Sequence, residues 1–237
     1  MKRYVATSMV LVFVSIFVLF LLNVFLGSVA IPFRSVWDIL WHTGGYSEIW
    51  NNIVWKSRVP QTLTALVAGA GLSISGLQMQ TVFRNPLAGP SVLGISSGAS
   101  LGVAFVILFS GSIGGVALSR LGIFGELALT VGAIVGALLV MMLIVYVSQK
   151  VHGNVTLLII GVMIGYVANA IIGVLKYFSV EEDIRAYVIW GLGSFSRVSG
   201  DQMLLFIILM LLLIPPSFLL IKSLNLMLLG DAYSHNL

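Results

Sequence analysis

The chain has 237 residues, 59% of them hydrophobic and 8% charged, with a mean hydropathy of +1.10 and a formal net charge of +4. An ordinary soluble domain has about a quarter of its residues charged, so that class is excluded. Apart from the adjacent Lys2 and Arg3, the 12 basic residues stand singly, which argues against nucleic acid as a partner, and the lack of cysteine rules out disulfides, thiolate metal sites and thiol nucleophiles.

Six membrane spans are expected, at roughly 5–30, 61–83, 92–110, 122–148, 156–178 and 202–222. The fold class is therefore all-α, a polytopic transmembrane helical bundle. The first apolar run, Tyr4 to Ile31, follows Lys2 and Arg3 and precedes a small-x-small triplet, Ser28-Val29-Ala30. It is nearly twice as long as the apolar part of a signal peptide, so it reads as a span rather than a cleaved leader. Lys2 and Arg3 favour a cytoplasmic N-terminus. The remaining charges do not decide orientation: with that topology Lys2, Arg3, Arg84, Lys150 and Lys222 lie inside. Arg34, Lys56, Arg58, Arg120, Lys176, Arg185 and Arg197 then lie outside.

Between the first two spans, Trp37, Trp41, Tyr46, Trp50 and Trp55 form an aromatic belt suited to headgroup level. Ser35 is placed to N-cap a short helix whose Val36 and Leu40 would rest on the bilayer. An aromatic-ligand site is the sharper alternative for the same residues.

Span two is crowded with Ala65, Ala68, Gly69, Ala70, Gly71, Ser73, Ser75 and Gly76, and Arg84 to Pro90 then breaks it with two prolines. Glycines recur at four-residue spacing in span three (Gly94, Gly98, Gly102), span four (Gly132, Gly136) and span five (Gly161, Gly165, Gly173, with Asn169 between). Lipid gives such residues nothing, whereas close helix–helix approach needs them. Asn169 at membrane depth either bridges two helices or borders a watery path. Glu181, Glu182 and Asp183 are adjacent on a helix and diverge, so they read as solvated surface rather than a metal site. Pro215 and Pro216 are expected to kink or split the last helix.

Several of these stretches carry a family resemblance. Arg58-Val59-Pro60, Ser75-Gly76 with Gln80, Asn85-Pro86-Leu87-Ala88 with Pro90, and Leu93-Gly94 with Gly98-Ala99 are similar to the permease subunit of bacterial iron-siderophore, haem and cobalamin ABC importers. Trp190, Gly193 and Ser194, and the run Leu224 to Leu237, fit the same pattern. The resemblance covers nearly the whole chain and implies a single permease domain over 1–237. The family has roughly ten spans of ~20 residues each, so four are expected to be missing and the chain to be C-terminally truncated, ending in the coupling region at 224–237.

The resemblance also assigns residues. The substrate pathway is expected at Gln78, Gln80 and Asn169, between two permease copies. The cytoplasmic gate is expected at Asn154 and Val155. Arg58 would receive a carboxylate from a periplasmic or lipid-anchored substrate-binding protein, with Lys56 supporting it because Gln61 stands where a second basic residue is usual. Leu229, Gly230, Asp231, Tyr233, Ser234 and His235 would dock on a P-loop ATPase present in two copies. Asp231 stands in place of the usual Glu and Ser234 in place of Ala, and Asp231 would N-cap a short helix running through Leu237. The setting would be the bacterial inner membrane.

The chain itself lacks a G-x-x-x-x-G-K-[ST] loop, so ATP and magnesium would sit on the partner and no cofactor here. His42, His152 and His235 have no metal-ligand spacing, no serine lies in G-x-S-x-G, and no Asp, His or Lys lies deep in a span. An enzyme is not expected. The alternative is an ion-coupled secondary transporter, which usually needs an intramembrane carboxylate or broken mid-membrane helices.

Overall fold

The computed structural model describes residues 2–109, 123–151, 153–196 and 198–228. Every regular element described is helical: α1 (Lys2–Phe25), α2 (Phe33–Leu40), α3 (Glu48–Ile53), α4 (Val59–Phe83), α5 (Ile95–Ala104), α6 (Ile123–Ser148), α7 (Asn154–Tyr177), α8 (Glu181–Gly191), α9 (Gly200–Ser217) and α10 (Ile221–Leu228). Five stretches are long and apolar enough to cross a membrane: Tyr4–Phe25, Glu48–Phe83, Gly125–Ser148, Val155–Tyr177 and Gly200–Leu228. The expected third span is the shorter apolar helix Ile95–Leu108. It begins late because Gly94, at φ +73°, holds a left-handed turn at its N-cap.

Contacts divide the chain into two compact units. One comprises residues 1–72 and 194–219, and the other 73–193 and 220–237.

In the first unit, α3 runs into α4 through a wide π-helical turn, Val54–Arg58. The core is Val24, Ile31, Val36, Ile39 and Val54, with Trp50, Tyr46 and Phe20 packed against it. Val36 and Ile39 are fully buried, so α2 turns its apolar face to protein and not to the bilayer. Its N-cap is Pro32, without a side-chain bond; Ser35 lies inside the first turn. The expected bilayer contact of Val36 is thereby corrected: helix α2 buries i and i+3 on one side, and the loop tucks that side against the end of α1. Trp37 and Trp41 remain outward, their rings 5.8 Å apart. α9 starts at a full capping box, in which Gln202 N–H donates to Ser199 Oγ and Ser199 N–H donates to Gln202 Oε1. It then passes through Pro215 and Pro216 without a break and tightens into a 3₁₀ turn at Phe218–Leu220. The prolines therefore do not split the helix, which narrows only after them.

The second unit is built on interlocked glycines. A Cβ placed on Gly98 would lie 2.6 Å from the carbonyl oxygen of Gly136, and one placed on Gly94 would lie 2.6 Å from that of Gly161. Gly102 and Gly132 meet in the same way. Helices α6 and α7 therefore press their glycine stripes onto the two sides of α5, backbone on backbone, which is how helices gain dispersion contact where lipid offers no hydrophobic drive. Ala88, Leu93, Val140, Ile144 and Leu158 close one end of this stack. Val103, Ala104, Ile107, Leu108, Ile172 and Tyr187 close the other and bring α8 against it.

Candidate functional site

The residues expected to receive a binding protein lie in the first unit, and the structure separates them. Lys56 is exposed, whereas Arg58 is 5% exposed. The Arg58 guanidinium donates from Nη1 to the carbonyl oxygens of Val24 (3.1 Å) and Phe25 (2.7 Å), and from Nη2 to that of Val29 (2.5 Å). These are carbonyls that the end of α1 and its following loop leave without helical partners. A cation there also opposes the negative end of the α1 dipole. Gly27 leaves room for it, since a Cβ would come within 2.9 Å of Arg58 Nε. Thr62 Oγ1 bonds Asn23 Oδ1 at 2.8 Å one turn further on. Gln61 is not a second external charge substitute either: its Nε2 donates to Ser57 Oγ at 2.7 Å and reaches the Ser196 carbonyl at 3.4 Å. Arg58 therefore locks α1 to α4, and Lys56 is the exposed cation of the pair.

The three expected pathway residues belong to the second unit. Gln78 and Gln80 sit two positions apart on α4, which puts them roughly 200° apart around the helix, so they cannot face one channel together. Gln80 lines a cavity of about 420 Å³ with Thr81, Arg84, Asn85, Pro86 and Leu228. Asn169 is exposed on α7, and among the described residues its side chain has no hydrogen-bond partner that would bridge two helices. Neither does anything described join it to Gln78 or Gln80. Gly173, one turn along, has nothing within 4 Å of a built Cβ. The α7 stripe is thus filled by α5 at Gly161 and Gly165 and left open at its other end.

At the expected gate, α6 ends at Ser148, and Gly153 at φ +108° serves as N-cap of α7. That conformation explains the glycine. Val155 is 67% exposed. His152 and the coupling residues Leu229, Gly230, Asp231, Tyr233, Ser234 and His235 lie outside the described residues, and the side chain of Asn154 does too.

Helix α8 carries Glu181, Glu182 and Asp183 in its first turn, where carboxylates complement the dipole. Among the described residues no three metal-ligating side chains converge, here or elsewhere. Burial, with Glu182 alongside, raises the Asp183 carboxyl above the ordinary aspartate range. Burial likewise raises the Tyr187 phenol, partly offset by its hydrogen bond with Ser100, and the Lys176 ammonium lies 4.7 Å from the centre of that ring.

One residue the sequence marks only as a flanking charge is Arg84. It ends α4 in the left-handed region at φ +47°. Its Nε and Nη2 donate to the carbonyl oxygen of Met227, at 3.1 and 2.7 Å, in the last turn of α10. The available signal was an arginine directly after a small-residue helix, at a position where glycine is the usual helix terminator.

Comparison with known proteins adds the following. A profile described as the FecCD transport family matches residues 15–237. The hemin transport system permease protein HmuU of Yersinia pestis is 34% identical over 218 residues, 90% of this chain and 60% of that protein. An iron chelatin transport system permease protein of Helicobacter pylori is 38% identical over 187 residues, 78% and 52% of the two chains. The vitamin B12 import system permease protein BtuC of Pectobacterium atrosepticum is 33% identical over 159 residues, 67% and 45%. A solved structure, an inward-facing conformation of a metal-chelate type ABC transporter, superposes with a TM-score of 0.73 at 25% identity, covering 95% of this chain and 67% of that one. The chain thus spans about 60% or less of these curated relatives.

Proposed function

Because the chain belongs to the FecCD transport family, we propose that it is the membrane-spanning permease of an ATP-driven importer. Its cargo is an iron chelate, either a siderophore complex or haem, or else cobalamin, carried across the bacterial inner membrane with the chain's N-terminus in the cytoplasm. The observation that carries this is the family match along 15–237 on a chain whose helices pack through interlocked glycines. A separate P-loop ATPase in two copies supplies the energy, a substrate-binding protein delivers the cargo, and a second permease copy completes the pathway. The open ends at Asn169 and Gly173 are in keeping with a neighbour of that kind. Lys56 is the cation offered to the binding protein. Asn154 and Val155 form the inner gate, and Leu229 to His235 the segment that docks on the ATPase.

The ion-coupled reading gains no support from the structure. Glu48, Glu126 and Asp201 stand in the first turns of their spans, whereas ion coupling usually relies on a carboxylate at membrane depth.

The test is uptake into proteoliposomes holding the permease with its ATPase and binding protein, using haem, ferric siderophores and cobalamin as cargoes. ATP-dependent uptake of one of them is expected, lost when the P-loop lysine of the ATPase is replaced. Leu229→Asp or Gly230→Pro should leave insertion intact and abolish uptake. Uptake that persists without any ATPase and follows an ion gradient would overturn the proposal.

A further inference from the structure

The end of α4 is a Schellman turn. Arg84 N–H donates to Thr81 O at 3.2 Å and Asn85 N–H to Gln80 O at 3.1 Å, with Arg84 in the left-handed position between them. Glycine takes that position without strain, and an arginine there is disfavoured by its own Cβ. The backbone therefore does not explain the arginine. Its side chain does: two N–H groups of one planar guanidinium converge on the carbonyl of Met227 in α10. The turn that follows is itself pinned, with Leu87 N–H on Asn85 Oδ1 at 2.9 Å and Ala88 buried among Leu93, Val140 and Leu158. The cation thus sits on a fixed corner, and α10 hangs from it.

We propose that Arg84 is a positioning residue that ties the last turn of α10 to the end of α4, so that a displacement of α10 is passed to α4 through this one guanidinium. The role rests on the importer reading, in which the chain beyond α10 is moved by the ATPase and α4 borders the substrate path. Lysine cannot reproduce the contact, since an ammonium is a point charge without the two-pronged planar fork.

The variant of choice is Arg84→Gly, which removes the side chain and keeps the turn unstrained, so loss of fold is not the expected outcome. Arg84→Lys is the conservative comparison. Two readouts are needed. First, a spin label at Lys222→Cys, the chain having no native cysteine, reports the mobility of α10 in this permease alone. The label is expected to become more mobile in Arg84→Gly and to a lesser degree in Arg84→Lys. Second, in the assembled transporter, basal ATP hydrolysis should persist while cargo-stimulated hydrolysis and uptake fall at least tenfold in Arg84→Gly. A crosslinker about as long as an arginine side chain, joining Arg84→Cys to Met227→Cys, should restore the stimulation. An unchanged spectrum in Arg84→Gly would overturn the tie, whatever the transport result. A loosened α10 with intact stimulated hydrolysis would overturn its role in coupling. Wild-type uptake that ignores the ATPase would instead sink the importer reading, and the label would still decide the tie.

Discussion

The backbone of Gly98 rests on that of Gly136 so closely that a Cβ on Gly98 would lie 2.6 Å from the Gly136 carbonyl oxygen and 2.5 Å from Val140 Cγ2. Moving the Val140 side chain does not relieve this, because the Gly136 carbonyl is backbone. Gly98→Val or Gly136→Val should therefore force α5 and α6 apart, at about 1–3 kcal/mol or more per substitution. Gly76→Ala, where a built Cβ meets nothing within 4 Å, should be neutral or mildly stabilising, by up to ~1 kcal/mol. Thermal unfolding in one detergent, followed by size exclusion, compares the three. Equal melting temperatures would show that the helices do not interlock through these glycines.

Arg58 and Lys56 should separate by phenotype. Arg58→Met leaves the carbonyls of Val24, Phe25 and Val29 without their donor, and each buried unsatisfied group costs about 1–3 kcal/mol. The variant should melt several degrees lower with or without a binding protein present. Lys56→Glu should stay within ~0.5 kcal/mol of wild type, as exposed substitutions do. It should instead slow capture of the binding protein, an effect that shrinks as salt is raised. A stable Arg58→Met that fails only in docking would reverse this division.

The pathway prediction is sharpened by helix geometry. Gln80→Cys, which lines the cavity with Arg84, should react with a water-soluble thiol reagent about tenfold faster than Gln78→Cys, roughly 200° around α4. Asn169→Cys should react as well if α7 borders the path. Fast labelling at Gln78 with an inert Gln80 would put water on the opposite face of α4.

Asp183 gives a pH signature of definite sign. Its carboxyl is raised in the folded protein by burial and by Glu182, so the native state holds the proton more tightly than the unfolded chain does. Stability from this group is therefore fully present below the ordinary aspartate value and declines as pH rises through the raised one. The melting temperature of wild type should fall relative to that of Asp183→Asn across the acidic range, and the two curves should run parallel near neutrality. A wild-type stability that rises through that window, relative to the Asn variant, would contradict the partial burial of Asp183.

Much of this architecture is written in the residues themselves. Long apolar runs admit only helices in lipid, since each backbone polar group must be satisfied within its own segment, and small residues at four-residue spacing mark the sides on which those helices must meet. The short loops follow from Gly and Pro for equally local reasons. Tertiary structure decided the rest, because composition does not reveal which surface a side chain reaches. Val36 turned inward because the end of α1 was there to receive it. Arg58 became a lock because three carbonyls at and just beyond the end of α1 lay within reach, and Arg84 a tie because Met227 of α10 came beside the end of α4. A guanidinium on a long stem finds its partner more than 140 residues away only after the chain has folded, and no sequence spacing encodes that meeting.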